Sequence, residues 1–227
     1  MSVRRLGGWS AIATTALFVA GIVVSASAGI ETLIPPDGDD IEDWATHVHD
    51  HPGSLEVGAG LIVLGGLAAT VALVCFHAVL RDAFGDLVIV PYLTVAAMTL
   101  VTVSHVMPVG IGQHLVPAYL DARGGPGELS GSLRTWAAVD NALNLAGDVT
   151  LWGVVVPMVG YAVVRTRALA RWIGWLGIVV GVLGGWLGLL STVVPAVDAV
   201  TGLGFLAFFV WMTAMGVALL RRTAAPA

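Results

Sequence analysis

Lysine is absent from this chain of 227 residues, and cysteine occurs once. A lone Cys75 excludes an intrachain disulfide; it lies in an apolar run and is expected to pack as a small hydrophobe. Charge is scarce as well. Only 11% of residues are Asp, Glu, Lys or Arg, against about 25% in soluble domains. A soluble fold of this length could not hide a composition that is 57% hydrophobic, with a mean hydropathy of +0.91, whereas lipid can solvate it. Further absences narrow the chemistry. There is no Walker-type loop, no dinucleotide fingerprint in the right context and no His-Glu-x-x-His. No nucleophile–base pair stands out, and no basic patch fits nucleic acid. These residues call for no cofactor, and they leave the enzyme question open with a non-enzymatic role the favoured expectation. No internal repeat supports an inverted-repeat transporter.

What the chain does have is six long apolar stretches. They run from Gly7 to Ile30, Leu55 to Leu80, Leu87 to Ile111, Leu133 to Val164, Trp172 to Val194 and Ala199 to Leu220. Each meets the length of about 20 residues that spans a hydrocarbon core of about 30 Å. Lipid offers no partner for backbone N–H and C=O groups, so these stretches must be helices. The expected fold is all-α: a polytopic transmembrane bundle of about six helices, forming one domain over residues 1–227. Residues 31–54 form an outer connector with a short interfacial helix, and residues 112–132 form an outer loop.

All ten basic residues are arginine, and eight lie in segments of one parity: Arg4, Arg5, Arg81, Arg165, Arg167, Arg171, Arg221 and Arg222. Only Arg123 and Arg134 fall on the other side. The positive-inside rule then places both termini in the cytoplasm. The acids Glu31, Asp37, Asp39, Asp40, Glu42, Asp43 and Asp50 crowd the first outer connector. The absence of Lys beside abundant Ala, Gly and Val points to a high-GC bacterial genome, and so to a bacterial cytoplasmic membrane. The first stretch also has a signal-peptide aspect, with Arg4-Arg5, an apolar core and Ser25-Ala26-Ser27-Ala28. Its apolar run exceeds the ~7–15 residues of a signal core, which favours a retained helix.

The fourth stretch holds polar residues where lipid should be. Trp136, Asp140, Asn144, Asp148 and Trp152 recur every four residues, with Asn141 alongside. Steps of four keep near one helix face. An Asp facing lipid near mid-membrane would cost about 2.5–3.5 kcal/mol, so the stripe is expected to face the bundle interior, with Asp148 protonated or partnered. His105, beside Ser104 near the outer end of the third stretch, and Glu56, at the outer start of the second, fall at similar depth. Together these predict an outward-opening polar pocket of Glu56, His105, Asp140, Asn141 and Asn144, with Asp148 at its floor. Such a pocket suits a proton, a cation or a small polar ligand. The simpler alternative is a set of interhelical hydrogen bonds.

The outer connector reads as a short amphipathic helix. Asp40 is placed to cap it, and Ile41, Trp44, Ala45 and Val48 form one apolar face suited to a membrane surface. Asp43, His47 and His51 lie on the opposite face at a spacing that can bind Zn²⁺ or Cu²⁺. Pro52 works against helical geometry at His51, and a solvated polar face is the competing reading. His77 and His105 fall in opposite leaflets, too far apart for one haem. The fifth stretch carries Gly174, Gly177, Gly181, Gly184, Gly185 and Gly188 at spacings that let another backbone approach. That backbone belongs either to the same bundle or to a second copy or membrane partner docked on the Gly174 to Gly188 face. Trp9, Trp136, Tyr161, Trp172 and Trp175 sit at expected interfaces, while Trp152, Trp186 and Trp211 fall deeper, as packing residues.

Several short motifs carry a family likeness. The second stretch ends Val79-Leu80-Arg81, the fourth opens Leu133-Arg134-Thr135-Trp136, and the link Ala168-Leu169-Ala170-Arg171-Trp172 precedes Gly174 and Gly177. With the overall layout, these resemble an uncharacterised bacterial family of six-helix integral membrane proteins known as a domain of unknown function. Ala170 stands where the family pattern leads one to expect Pro. The resemblance implies the six-helix fold and brings no catalytic residue. The competing functional expectations are thus a pocket that handles a small solute or ion and a non-catalytic accessory subunit that associates through its Gly-rich helix.

Overall fold

The computed structural model describes residues 1–30, 33, 35–36, 41–81, 89–121, 128–191, 193–194 and 198–224. Among them every regular element is helical. In chain order these are α1 (Val3–Ser27), the short α2 (Ile41–Asp50), α3 (Pro52–Val79) and α4 (Ile89–Asp121). Then comes α5, which runs Glu128–Thr150, widens through a π-helical turn at Leu151–Val155 and continues as Val156–Thr166. Next, α6 runs Arg171–Val180, widens at Gly181–Trp186 and ends with Leu187–Ser191; α7 is Asp198–Ala224. Six of these helical segments are long and apolar enough to cross a membrane, and they coincide with the six apolar stretches. The expected cap Asp40 lies outside the described residues.

The chain divides into two compact units. Unit 1 comprises Met1–Ala16, Gly65–Thr99 and Leu145–Ala227, and unit 2 comprises Leu17–Leu64 and Leu100–Asn144. The divisions fall inside α1, α3, α4 and α5.

Unit 1 is built on close backbone approach. A Cβ on Gly160 would meet the Gly174 carbonyl oxygen at 2.6 Å, and one on Gly177 would meet Trp211 Nε1 at 2.7 Å. Further along, Gly181 abuts Pro157, Gly184 lies under the Trp152 ring, and Gly185 lies against the backbone of Gly153. Gly174, Gly177, Gly181, Gly184 and Gly185 of α6 are thus occupied by α5 and α7 of the same unit. The two π turns face each other here. Pro157 has no N–H for the carbonyl four residues back, so the ladder of α5 loosens just before it. The opposing turn of α6 is rich in glycine. An aromatic cluster fills the remaining space: Trp152 stacks on Phe205 at 5.7 Å, and Trp211 meets Phe208 at 6.0 Å and Phe76 at 6.3 Å. Trp186, expected as a packing residue, is 57% exposed within the protein.

Unit 2 starts from the end of α1. Gly29 (φ +74°) closes that helix, with Ile30 N–H donating to Ser25 and Gly29 N–H to Ala26, the left-handed cap that glycine adopts without Cβ strain. On α2, Ile41, Trp44, Ala45 and Val48 are all buried in the protein, so this apolar face is covered by neighbouring helices. α4 runs on to Asp121, through residues 112–121 that hydropathy assigns to an outer loop. The apolar run ends near Ile111, but the helix continues, and there it packs against other parts of the unit. A Cβ on Gly112 would meet Val48 Cγ1 at 2.8 Å and Leu55 Cδ2 at 2.9 Å. Likewise α5 begins at Glu128 rather than Leu133.

Candidate functional site

The polar side chains of unit 2 converge on the antiparallel pair α4 and α5. Ser104 is fully buried, and its Oγ lies 3.1 Å from Asn144 Oδ1 and 2.8 Å from the Val101 carbonyl, its two candidate acceptors. A hydroxyl has one proton, so it serves one of these at a time. The Ser104–Asn144 contact sets the register: both residues lie about equally far from the ends of the hairpin at Asp121 and Glu128. One turn further along both helices, Asp140 on α5 comes level with Pro108 on α4. Pro108 lies within the helix and has no N–H, so the Ser104 carbonyl lacks its usual helical donor.

Asp140 is the unusual member. Its relative exposure is 0%, and both carboxylate oxygens are buried without a hydrogen-bond partner among the described residues. Burying a carboxyl in this way is costly unless it holds a proton or meets a cation.

His105 is partly buried, and its Nδ1 lies 2.7 Å from the Val101 carbonyl. A carbonyl only accepts, so Nδ1 carries the hydrogen and the neutral ring keeps its lone pair on Nε2. Asn141 donates from Nδ2 to the Pro35 carbonyl at 3.1 Å, tying the connector to α5. Glu56 is exposed and accepts from Gln113 Nε2 at 2.8 Å, joining α3 to α4. Asp148 belongs to unit 1, where its Oδ1 accepts from Trp152 Nε1 at 3.2 Å.

The stripe of α5 is therefore not one face. A step of four residues advances about 40° beyond a full turn, so five such positions sweep nearly half the circumference. Trp136 accordingly lies 48% exposed, Asp140 fully buried and Trp152 6% exposed. Two contributors escaped the sequence reading of the site. Ser104 was visible as the neighbour of His105 in an apolar run. Gln113 lay beyond the apolar run and gave no signal.

At the α2 end, His47 Nδ1 lies 2.8 Å from the Asp43 carbonyl, and its ring packs over Gly29. Asp43 thus meets His47 through its backbone oxygen in this contact. Among the described residues no group of three or more His, Cys, Asp or Glu could hold a metal ion.

Six membrane-crossing helices with buried polar side chains define a multi-pass helical membrane protein. Residues 9–226 match the family described as a domain of unknown function (DUF4386), and the chain belongs to that family. No curated protein and no solved structure matches it.

Proposed function

We propose that this membrane protein takes up a proton or a small cation at Asp140, inside the α4–α5 pair of unit 2. The observation that carries the reading is the fully buried carboxyl, whose two oxygens have no partner among the described residues. Structural glue would be hydrogen-bonded, as Ser104 is. Asn144, one turn from Asp140 on α5, meets Ser104 of α4, and His105, the residue after Ser104, has a proton-accepting Nε2. The distribution of arginine supports an orientation with the α2 end outside the cell, and in this reading the site loads from that side.

A proton is the first choice of occupant, because it satisfies a lone carboxyl without further ligands. A monovalent cation such as Na⁺ is the second. It is favoured by the Ser104 carbonyl, which Pro108 leaves without its usual helical donor on the helix that the Ser104–Asn144 contact pairs with α5.

Infrared difference spectroscopy on the protein in liposomes tests the proposal. The wild-type minus Asp140→Asn difference is expected to contain one carboxyl component that changes with pH, or with added Na⁺ at fixed pH. Identical pH and Na⁺ responses in the wild type and Asp140→Asn would overturn the proposal.

A further inference from the structure

A separate feature lies wholly within unit 1, at the end where arginines gather. Helices α1, α6 and α7 enclose a groove of about 620 Å³, within the range of small-molecule sites. Its α7 wall presents Val210, Ala214, Val217, Ala218 and Arg221, spaced to share one helix face. Ala214 and Ala218 make the furrow, because short side chains leave room where longer ones would fill it. Its polar interior atoms are already engaged: Thr15 Oγ1 lies 3.1 Å from Thr213 Oγ1 and 3.3 Å from the Phe209 carbonyl. The wall therefore asks its occupant for no hydrogen bonds along most of its length.

The dimensions and charge point to one kind of occupant. From Val210 to Arg221 the helix rises about 16 Å, close to one leaflet of a hydrocarbon core of about 30 Å. Charge appears at one end only. Arg221 lines the groove there, Arg222 follows it, and Arg171 opens α6 next to the lining residues Ala170 and Trp172. No acidic residue occurs from Val149 to Val197 or after Asp198, so the sequence of these segments holds no acid to offset this cationic end. Trp172 is exposed, an amphipathic ring suited to headgroup level.

We propose that the groove holds one acyl chain of an anionic phospholipid, with the lipid phosphate on Arg221. Arginine suits a phosphate, since its planar donors match the oxygens.

The test uses the full chain in nanodiscs of equal phosphatidylglycerol and phosphatidylcholine, with retained lipid counted by native mass spectrometry after release. The wild type is expected to keep one phosphatidylglycerol with a preference of about fivefold, the effect of one basic side chain near a charged membrane surface. Arg221→Gln should erase the preference while leaving a lipid bound. Ala214→Phe should remove the lipid of either type by filling the furrow, and Ala218→Leu repeats that test if Ala214→Phe does not fold. Equal retention of the two lipids by the wild type would overturn the proposal. So would a preference unchanged in Arg221→Gln, or binding of free inorganic phosphate with no lipid retained.

Discussion

Asp140 and Asp148 lie two turns apart on one helix and have different surroundings. Asp148 accepts from Trp152, whereas Asp140 has no partner among the described residues. An unpaired buried polar group destabilises by about 1–3 kcal/mol. Asp140→Leu, similar in size and apolar, is therefore expected to raise thermal stability by about that amount while abolishing proton or cation uptake. A fall in melting temperature for Asp140→Leu would mean that the carboxyl holds the fold together. By contrast, Asn144→Ala removes the contact with Ser104 and should cost about 0.6 kcal/mol, the average for such bonds between membrane helices; a thermal melt of the purified variant measures it. At this scale the sequence revealed that α5 carries acids too expensive for lipid. It could not reveal which acid would be left unpaired, because that depends on what neighbouring helices bring to the same level. The presence of Trp152 beside Asp148 is local and readable, four residues away on one helix. That Asp140 meets no hydrogen-bond partner among the described residues is a property of the packed unit.

Among the elements, α6 shows how much a helix depends on its missing side chains. Gly185 lies against the Gly153 backbone and Gly174 against the Gly160 carbonyl. Neither neighbour can move as a flexible side chain would. Gly174→Ala and Gly185→Ala are each expected to destabilise by about 1–3 kcal/mol, the usual cost of overpacking. Gly60→Ala and Gly110→Ala, where nothing lies within 4 Å of an added Cβ, should be neutral or stabilise by up to about 1 kcal/mol through helix propensity. Parallel melts of the four variants decide this, and equal effects at all four positions would contradict the packing described. The α5–α6 link offers a test of backbone strain. Arg167 has φ of 53° and ψ of 25° at the end of α5, a left-handed conformation that side chains disfavour. Arg167→Gly should stabilise by up to about 1 kcal/mol in the same assay. The glycine spacing of α6 was legible in the sequence, and so was Pro157. That the two combine into facing π turns was not, since a π turn in one helix is accommodated only by the shape of its neighbour. The length of α4 was also hidden. Hydropathy reports where an apolar run ends, and just beyond that end Gly112 packs against Val48 and Leu55.

For the whole molecule, the six crossing helices and the one-sided arginines lead to a direct expectation about orientation. With Cys75 replaced by Ser, single cysteines at Ser2→Cys and Thr223→Cys should react with a membrane-impermeant maleimide only after the cells are opened, whereas Asp50→Cys, in the connector segment, should react in intact cells. Labelling of Ser2→Cys in intact cells would reverse the orientation, and with it the side from which Asp140 is proposed to load. Sequence alone determined the helical class, the number of crossings and the amphipathic face of α2. These follow from one-dimensional quantities: the run length of apolar residues, the backbone's need for internal hydrogen bonds in lipid, and the 3.6-residue period. Tertiary structure alone decided that Asp140 has no partner among the described residues, that Ser104 meets Asn144, that Gly174, Gly177, Gly181, Gly184 and Gly185 are occupied within their own unit, and that an arginine-ended furrow runs along α7. Each of these depends on which atoms from distant parts of the chain come to lie within a few ångströms, and no periodicity within a single helix contains that information.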